Sequence, residues 1–405
     1  MLAQPCHTGR HLVLMRKELG ERGVLTLHRV AGLRVRVSSD HQGGGGAHPP
    51  PAAGEGFLFD RLGAALVQAD PDQLASLHAH TRRELVAVEP ERVLQLEAAA
   101  PLEPAIQPQG GIHLASPSAT PDGARHTWAL QTTGVTESRF SGRGIRVAIL
   151  DTGLDLEHPD FSGRPIVSRS FVAGQSVHDA NGHGTYCAGL ACGPSCAAQP
   201  PRYGVAGDAE IYIGKVIDDD GRGVDGDILA AIDWSVRSGC AIISLSVGTP
   251  VPRGEPYSLV YEQVARRALE AGSVIMASAG NASLRPDSIA PVDHPANCPS
   301  ILAVAAIDAS MRIAPFSCGG INPDGGEIDL AAPGVAIRSA WPRPELYRTS
   351  SGTSMATPYV VGIAALLAEA HPSARGRALK DLLRRRAKPL PLPPRDVGVG
   401  LVQAP

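Results

Sequence analysis

Four short stretches carry side chains that together could run acyl transfer: Asp151 in "VAILDTG", His183 in "NGHGTYCAG", Asn281 in "ASAGN" and Ser354 in "SGTSMATP". That chemistry needs a nucleophile, a base to take its proton, a carboxylate to orient the base, and donors for the oxyanion. A hydroxyl, an imidazole, a carboxylate and a carboxamide supply one of each. Taken singly, each stretch also fits a plain structural role, as a turn cap, a loop histidine among small residues, or an Asn closing a turn. Ser354 is the most telling of the four. It falls where a glycine-bearing loop gives way to an apolar helix, with Thr353 available as N-cap. A hydroxyl there lies beside free backbone N–H groups and the positive end of the helix dipole, which suits a developing oxyanion. Pro358 falls in the first turns of that helix, where a missing N–H is tolerated.

Side chains so far apart in the chain must be gathered by a scaffold. From about residue 126, apolar β-branched runs ("IRVAIL", "EIYIGKV", "AIISLSV", "GSVIMAS", "ILAVAAI") alternate with helical stretches such as "DILAAIDWSVRSG" and "YSLVYEQVARRALEAG". Continuous apolar strands between helices predict an α/β fold, a mostly parallel central sheet covered on both faces. Sites in such sheets collect at the carboxyl ends of the strands, and both Asp151 and Asn281 follow the end of an apolar run.

Composition shifts divide the chain into a tail (1–9), a small α/β domain (10–97), a linker (98–125) and a catalytic domain (126–405). The small domain has apolar stretches at "LVLM", "GVLTLHRV", "LRVRV" and "GFLF", then a helix turning into a strand in "LASLHAHTRRELVAVEPERVLQLEA". The glycine-rich "DHQGGGGAHPPPAAGEG" interrupts it as a loop or insertion. Residues 98–125, rich in Pro, Gly and Ser and without periodicity, read as the linker. The 405 residues contain no internal repeat, and with 43% hydrophobic residues they can bury a large core. A net charge of −3 gives no reason to expect a nucleic-acid or membrane partner. No long uninterrupted apolar run predicts a membrane span, and the four-residue patch Leu12–Met15 is too short for a signal-peptide core.

"VAILDTGLDLEHPDF", "NGHGTYCAG", "ASAGN" and "SGTSMATPYVVG", in that order and with 32 residues from Asp151 to His183, resemble the subtilisin-like serine proteases. The resemblance implies a three-layer sandwich and a serine endopeptidase working through an acyl-enzyme. It makes Ser354 the nucleophile, His183 the base and then the acid, and Asp151 the group that orients the imidazole. Asn281 and the Ser354 N–H become the oxyanion donors. Ser246, Val247 and Gly248 in "ISLSVG" are similar to the segment that pairs with the substrate backbone. Ala277, Ser278, Ala279 and Gly280 look like one wall of the primary specificity pocket. "ELVAVEPERVLQL" is similar to the end of the family's inhibitory propeptide, and "DVGVGLVQA" to its closing Gly-x-Gly segment.

The resemblance therefore implies a self-processing precursor, inhibited by its own propeptide until cleaved in the linker, that acts as a monomer on protein or peptide substrates. The alternative is a specialised or catalytically silent member that binds peptides or serves one maturation pathway; four intact catalytic positions disfavour it. A stored precursor favours export, while the short apolar patch at the N-terminus opposes it. No cofactor is required. Asp160 stands where many members ligate a structural calcium, but the loop "ACGPSCAAQPPRYG", expected to supply further ligands, has no carboxylate. Cys192 and Cys196 flank Gly-Pro-Ser there, as a disulfide staple would require. The acidic run at 218–227 reads as a solvated loop, and Cys240, Cys298 and Cys318 as buried thiols. Cys187, four residues after His183, shares its helical face and packs beneath the imidazole.

Overall fold

The computed structural model describes residues 6–16, 22–38, 50–81, 83–96 and 125–405; most of the glycine-rich insertion and the linker up to residue 124 lie outside them. Seven parallel strands form the central sheet, in the spatial order Leu330–Pro333, Leu302–Ile307, Val274–Ser278, Ile242–Leu245, Arg146–Asp151, Glu210–Lys215 and Ile166–Ser170. The apolar runs are continuous because both faces are buried. Val147, Ile149, Ile242, Val274 and Met276 face helices His183–Cys192 and Thr353–Ala370. Ala148, Leu150, Ile243, Ile275 and Ala277 face helices Asp225–Arg237 and Leu259–Glu270 on the other side. The result is the three-layer sandwich with a parallel sheet expected from the sequence.

The chain turns outward in one direction from Arg146–Asp151 and then returns to build the other half beginning with Ile242–Leu245. The crevice where the two halves part, at the carboxyl ends of those neighbouring strands, is where such sheets hold ligands. Asp151 ends one strand, and Ser246 follows the other.

The N-terminal residues form a second sheet ordered Arg34–Val37, Glu55–Phe59, Ala64–Gln68, His7–Met15 and Leu85–Gln95, with helices Arg22–Ala31 and Pro71–Ala79. The helix Arg22–Ala31 occupies the stretch "GVLTLHRV", and the strand Ala64–Gln68 had no counterpart in the sequence reading. This sheet too is buried on both faces, with a period of two. Val13, Met15, Leu58, Ala65 and Val67 pack on its own helices. Leu12, Leu14, Phe57, Phe59, Ala64 and Leu66 pack on Ile228, Leu229, Ile232, Val260 and Val264 of the unit built on the central sheet.

Two carboxylates of the strand Leu85–Gln95 reach into that contact and cap two helices. Glu89 accepts from Ser258 Oγ (2.5 Å), Leu259 N (2.8 Å) and Val260 N (3.3 Å). Glu91, wholly buried, accepts from Gly226 N (2.9 Å) at the start of Asp225–Arg237, and from Thr8 and Arg10. Carboxylates at helix N-termini are stabilised by the free N–H groups and the dipole. Glu91→Ala also leaves the Arg10 guanidinium without this partner, so in an uncleaved chain it costs about 2–4 kcal/mol. Denaturant titration in a Ser354→Ala background reads the loss as a lower midpoint; an unchanged midpoint would contradict this role.

Among the described residues one helix, Thr353–Ala370, is long and apolar enough to cross a membrane, by length and composition only. It is a buried core helix packed on the sheet and on His183–Cys192, and it carries Ser354.

Candidate active site

The structure brings Asp151, His183, Asn281 and Ser354 to the crevice. His183 opens its helix, and its Nδ1 lies 2.8 Å from Asp151 Oδ1, which also accepts Thr152 N at 2.8 Å. Asp151 is 1% exposed, and its Oδ2 is buried without a hydrogen bond among the described residues. Burial pulls the imidazole pKa down, but the Asp151 charge, followed by Cys187, outweighs it and holds the group well above 6.5. Cys187 Sγ sits 3.7 Å from Nδ1 on the same helical face, as expected. Burial pushes its thiol up, so the sulfur stays protonated and the Asp151 charge is the contribution that persists.

The start of the His183 helix is fixed by a buried polar cluster absent from the sequence reading. Asp179 accepts from Thr152 Oγ1 (2.8 Å), Gly182 N (2.7 Å), Thr185 N (2.8 Å) and Thr185 Oγ1 (2.6 Å), while Thr152 Oγ1 accepts from Gly184 N (2.8 Å). Asp179 thus satisfies the free N–H groups that the N-cap, Gly182, cannot reach with a side chain. Gly182 has φ +105°, and a Cβ there would come within 2.4 Å of the Trp341 ring, so this position excludes side chains.

Ser354 is the second residue of its helix. The N-cap is Gly352, and Thr353, expected as the cap, has another task. Its N–H (2.8 Å) and hydroxyl (2.9 Å) both donate to Asn281 Oδ1, and its Oγ1 accepts Gly280 N (3.1 Å). With Oδ1 held by two donors, the Asn281 amide is oriented so that Nδ2 faces the Gly352–Ser354 turn. Pro358 lies past the first turn, in the helix interior. Its missing N–H frees the Ser354 carbonyl, four residues back, and the Cys187 thiol donates to that oxygen at 3.6 Å.

The Ser354 hydroxyl donates to Ser246 O at 3.1 Å, so it must rotate to hand its proton to His183. Both side chains line a cavity of about 270 Å³, with Asn281, Trp341, Gly352 and Met355. Apo catalytic hydrogen bonds commonly tighten only with substrate in place.

Leu96 lines the same cavity. The strand Leu85–Gln95 runs into the crevice, with Val93, Leu94 and Gln95 antiparallel to Val224, Gly223 and Arg222. Leu96 N continues that side, donating to Gly221 O at 2.8 Å, while on the other side Gln95 bridges Gly248. The segment end therefore lies between 221–224 and Gly248, the way an extended peptide is bound by strand addition. Of Ser246, Val247 and Gly248, the residues expected here, Gly248 forms the bridge; Gly221–Val224 were not expected. The run 218–227, read as a solvated loop, is in part a strand edge and a helix start. Its Asp225 is buried, accepts Arg92 N at 2.8 Å and faces His294 at 3.4 Å.

Ala277, Ser278, Ala279 and Gly280 are all buried, with backbone committed to neighbours: Ala279 N donates to Val304 O, and Ala279 O accepts Asp293 N. They offer the crevice a face rather than free hydrogen-bonding groups.

Asp160 spends its carboxylate on the protein. Oδ1 accepts Ala198 N (2.6 Å), and Oδ2 accepts Tyr203 OH (2.6 Å) and Tyr347 OH (3.1 Å), so three donors stand where a cation would need lone pairs. Cys192 and Cys196 are not joined. Cys192 is a buried thiol pushed up to about 12 by burial, and Cys196 is exposed. Cys240, Cys298 and Cys318 are buried, as expected.

The chain is similar to known proteins in sequence and fold. A family model described as the subtilase family matches residues 142–400. Subtilisin BL of Lederbergia lenta is 35% identical over 252 residues, 62% of this chain and 86% of that protein. Subtilisin E of Bacillus subtilis (strain 168) is 34% identical over 250 residues, 61% of each, so this chain spans less than two thirds of that relative. The solved structure titled Sphericase superposes with a TM-score of 0.60 at 30% identity, covering 69% of this chain and all of that one.

Proposed function

The chain belongs to the subtilase family and is a serine-type endopeptidase, and from that premise we propose that it works through an acyl-enzyme and is made as a self-processing precursor. Ser354 Oγ attacks the scissile carbonyl while His183 takes its proton, and the carbonyl oxygen becomes an anion held by Asn281 Nδ2 and Ser354 N–H. His183 then gives the proton to the departing amine, the C–N bond breaks, and an ester to Ser354 remains. Water, deprotonated by His183, hydrolyses the ester and restores the serine. Asp151 keeps the Nδ1 proton in place throughout and stabilises the imidazolium. A donor in the position of Asn281 is worth about 100- to 1,000-fold in kcat, the loss known for subtilisin's own oxyanion asparagine.

The precursor reading covers residues 10–97 as the inhibitory unit and 98–125 as the region cut. One observation carries it: the strand Leu85–Gln95 ends in the crevice as a peptide would, with Gln95 opposite Gly248 and Leu96 beside His183 and Ser354. Its apolar face and its two helix caps keep the unit on the enzyme, so an intact chain blocks itself. The catalytic steps need no cofactor and are assigned to no metal.

A fluorophosphonate tests the reading directly, because it reacts with activated serines and mimics the tetrahedral centre. Processed protein is expected to carry the label on Ser354, located by peptide mass mapping. Label on another serine, or none, would count against it.

A further inference from the structure

We infer that Asp293 gives this enzyme a preference for lysine or arginine immediately before the scissile bond, an assignment that rests on the endopeptidase reading above. Asp293 is 1% exposed and lies in the segment 291–296, which closes the gap between two strand ends. Asp293 N donates to Ala279 O (3.0 Å) on one side, and His294 exchanges backbone hydrogen bonds with Thr249 (2.8 and 3.0 Å) on the other.

Its carboxylate stands directly behind two glycines, one from each strand end. A Cβ on Gly280 would fall 2.5 Å from Asp293 Oδ2, and one on Gly248 would fall 3.1 Å from Asp293 Cβ and 3.3 Å from Oδ2. Gly280 has φ +104°, a conformation that already disfavours other residues. Val247, Ala277, Ala279 and Val292 are buried in the same cluster and supply apolar surface beside the gap.

The reaction centre adjoins the first of these strand ends. Ser354 Oγ is 3.1 Å from Ser246 O, two residues before Gly248, and the chain that already lies in the crevice crosses opposite Gly248. An extended substrate on that path directs the side chain next to its scissile bond between the two strand ends. There it meets apolar walls, two positions without side chains, and a buried carboxylate at the far end. Lysine and arginine match that sequence of surroundings, an apolar stem with a cationic head. A neutral isostere fills the walls equally well but leaves the buried carboxylate without the incoming cation.

The test compares peptides that differ only in the residue before the scissile bond, using the processed enzyme. The lysine peptide is expected to exceed its norleucine isostere in kcat/KM by about 10- to 100-fold, with arginine behaving like lysine. Asp293→Asn is expected to bring that ratio close to one, and Asp293→Glu to retain a basic preference. The ratio is taken within one preparation, so the active fraction cancels, and a merely structural role for Asp293 would not move it. Benzamidine, a small rigid cation, should inhibit the unsubstituted enzyme competitively, which keeps the inference testable if a variant fails to fold.

Equal or better turnover of norleucine by the unsubstituted enzyme, an unchanged ratio in Asp293→Asn, or indifference to benzamidine would overturn the assignment while leaving the protease reading intact. Failure to cleave any of the peptides would overturn both.

Discussion

Replacing Ser354 by alanine leaves a folded chain of full length that hydrolyses peptides about a millionfold more slowly, the size of loss known for the serine of subtilisin itself. The fold has little reason to change. Among the described residues the hydroxyl makes one hydrogen bond, to Ser246 O, and the helix start is held by Thr353 and Asn281 rather than by Ser354. What disappears is the atom that forms the ester, so every step that depends on the covalent intermediate is lost together. Residual hydrolysis above the rate in water would come from binding and the oxyanion donors alone. A loss below about 100-fold, measured as kcat on a peptide, would mean that another group is the nucleophile.

Asp151→Asn is the second large expected effect, about 10⁴-fold in kcat. Asp151 Oδ1 sits 2.8 Å from His183 Nδ1 inside a buried site. An asparagine there keeps the shape but can present an N–H to Nδ1, which favours the wrong tautomer and leaves the imidazolium without a counter-charge. The pH profile moves as well. The imidazole must be neutral to act as a base, so activity rises with pH as His183 loses its proton. Asp151 holds that pKa well above 6.5 against the pull of burial, so the acid limb of kcat/KM lies above 6.5. With the carboxylate charge removed, burial prevails and the limb shifts below 6.5. An acid limb that stays in place in Asp151→Asn would show that another group sets it.

Much of the site was legible because its members sit at strand ends and helix starts, where the sequence marks the change of element. Asp151 closes "RVAIL", Asn281 follows "VIMAS", and His183 and Ser354 open helices behind glycines. The parallel sheet was legible for a related reason: strands buried on both faces read as unbroken apolar runs. Features whose partners lie far off in the chain were not. Gly221–Val224 is a polar edge completed by residues about 130 positions earlier, so it carries no periodicity of its own and looked like a solvated acidic loop. Asp179 is a single carboxylate in a polar stretch, and its value appears only when the amides around His183 converge on it.

Thr353 and Pro358 were misplaced by a residue or a turn because helix boundaries are weakly encoded. Asp160 was singled out because the family resemblance places a calcium ligand there, but its carboxylate is taken up by donors from Ala198, Tyr203 and Tyr347, which its own stretch does not reveal. Asp293 gave no signal, since nothing local distinguishes it from any other loop acid; it stands out only once Gly248 and Gly280 are seen to flank it.

The central claim is that one chain holds both a serine endopeptidase and the segment that blocks it, and that the first releases the second. Intact mass and N-terminal sequence, followed over time for purified full-length protein and for Ser354→Ala side by side, test it most directly. The account predicts that the unsubstituted chain shortens by a cut within 98–125 and gains peptidase activity as it does, while the alanine variant keeps its full mass. An alanine variant that processes itself at the same place and rate would contradict it.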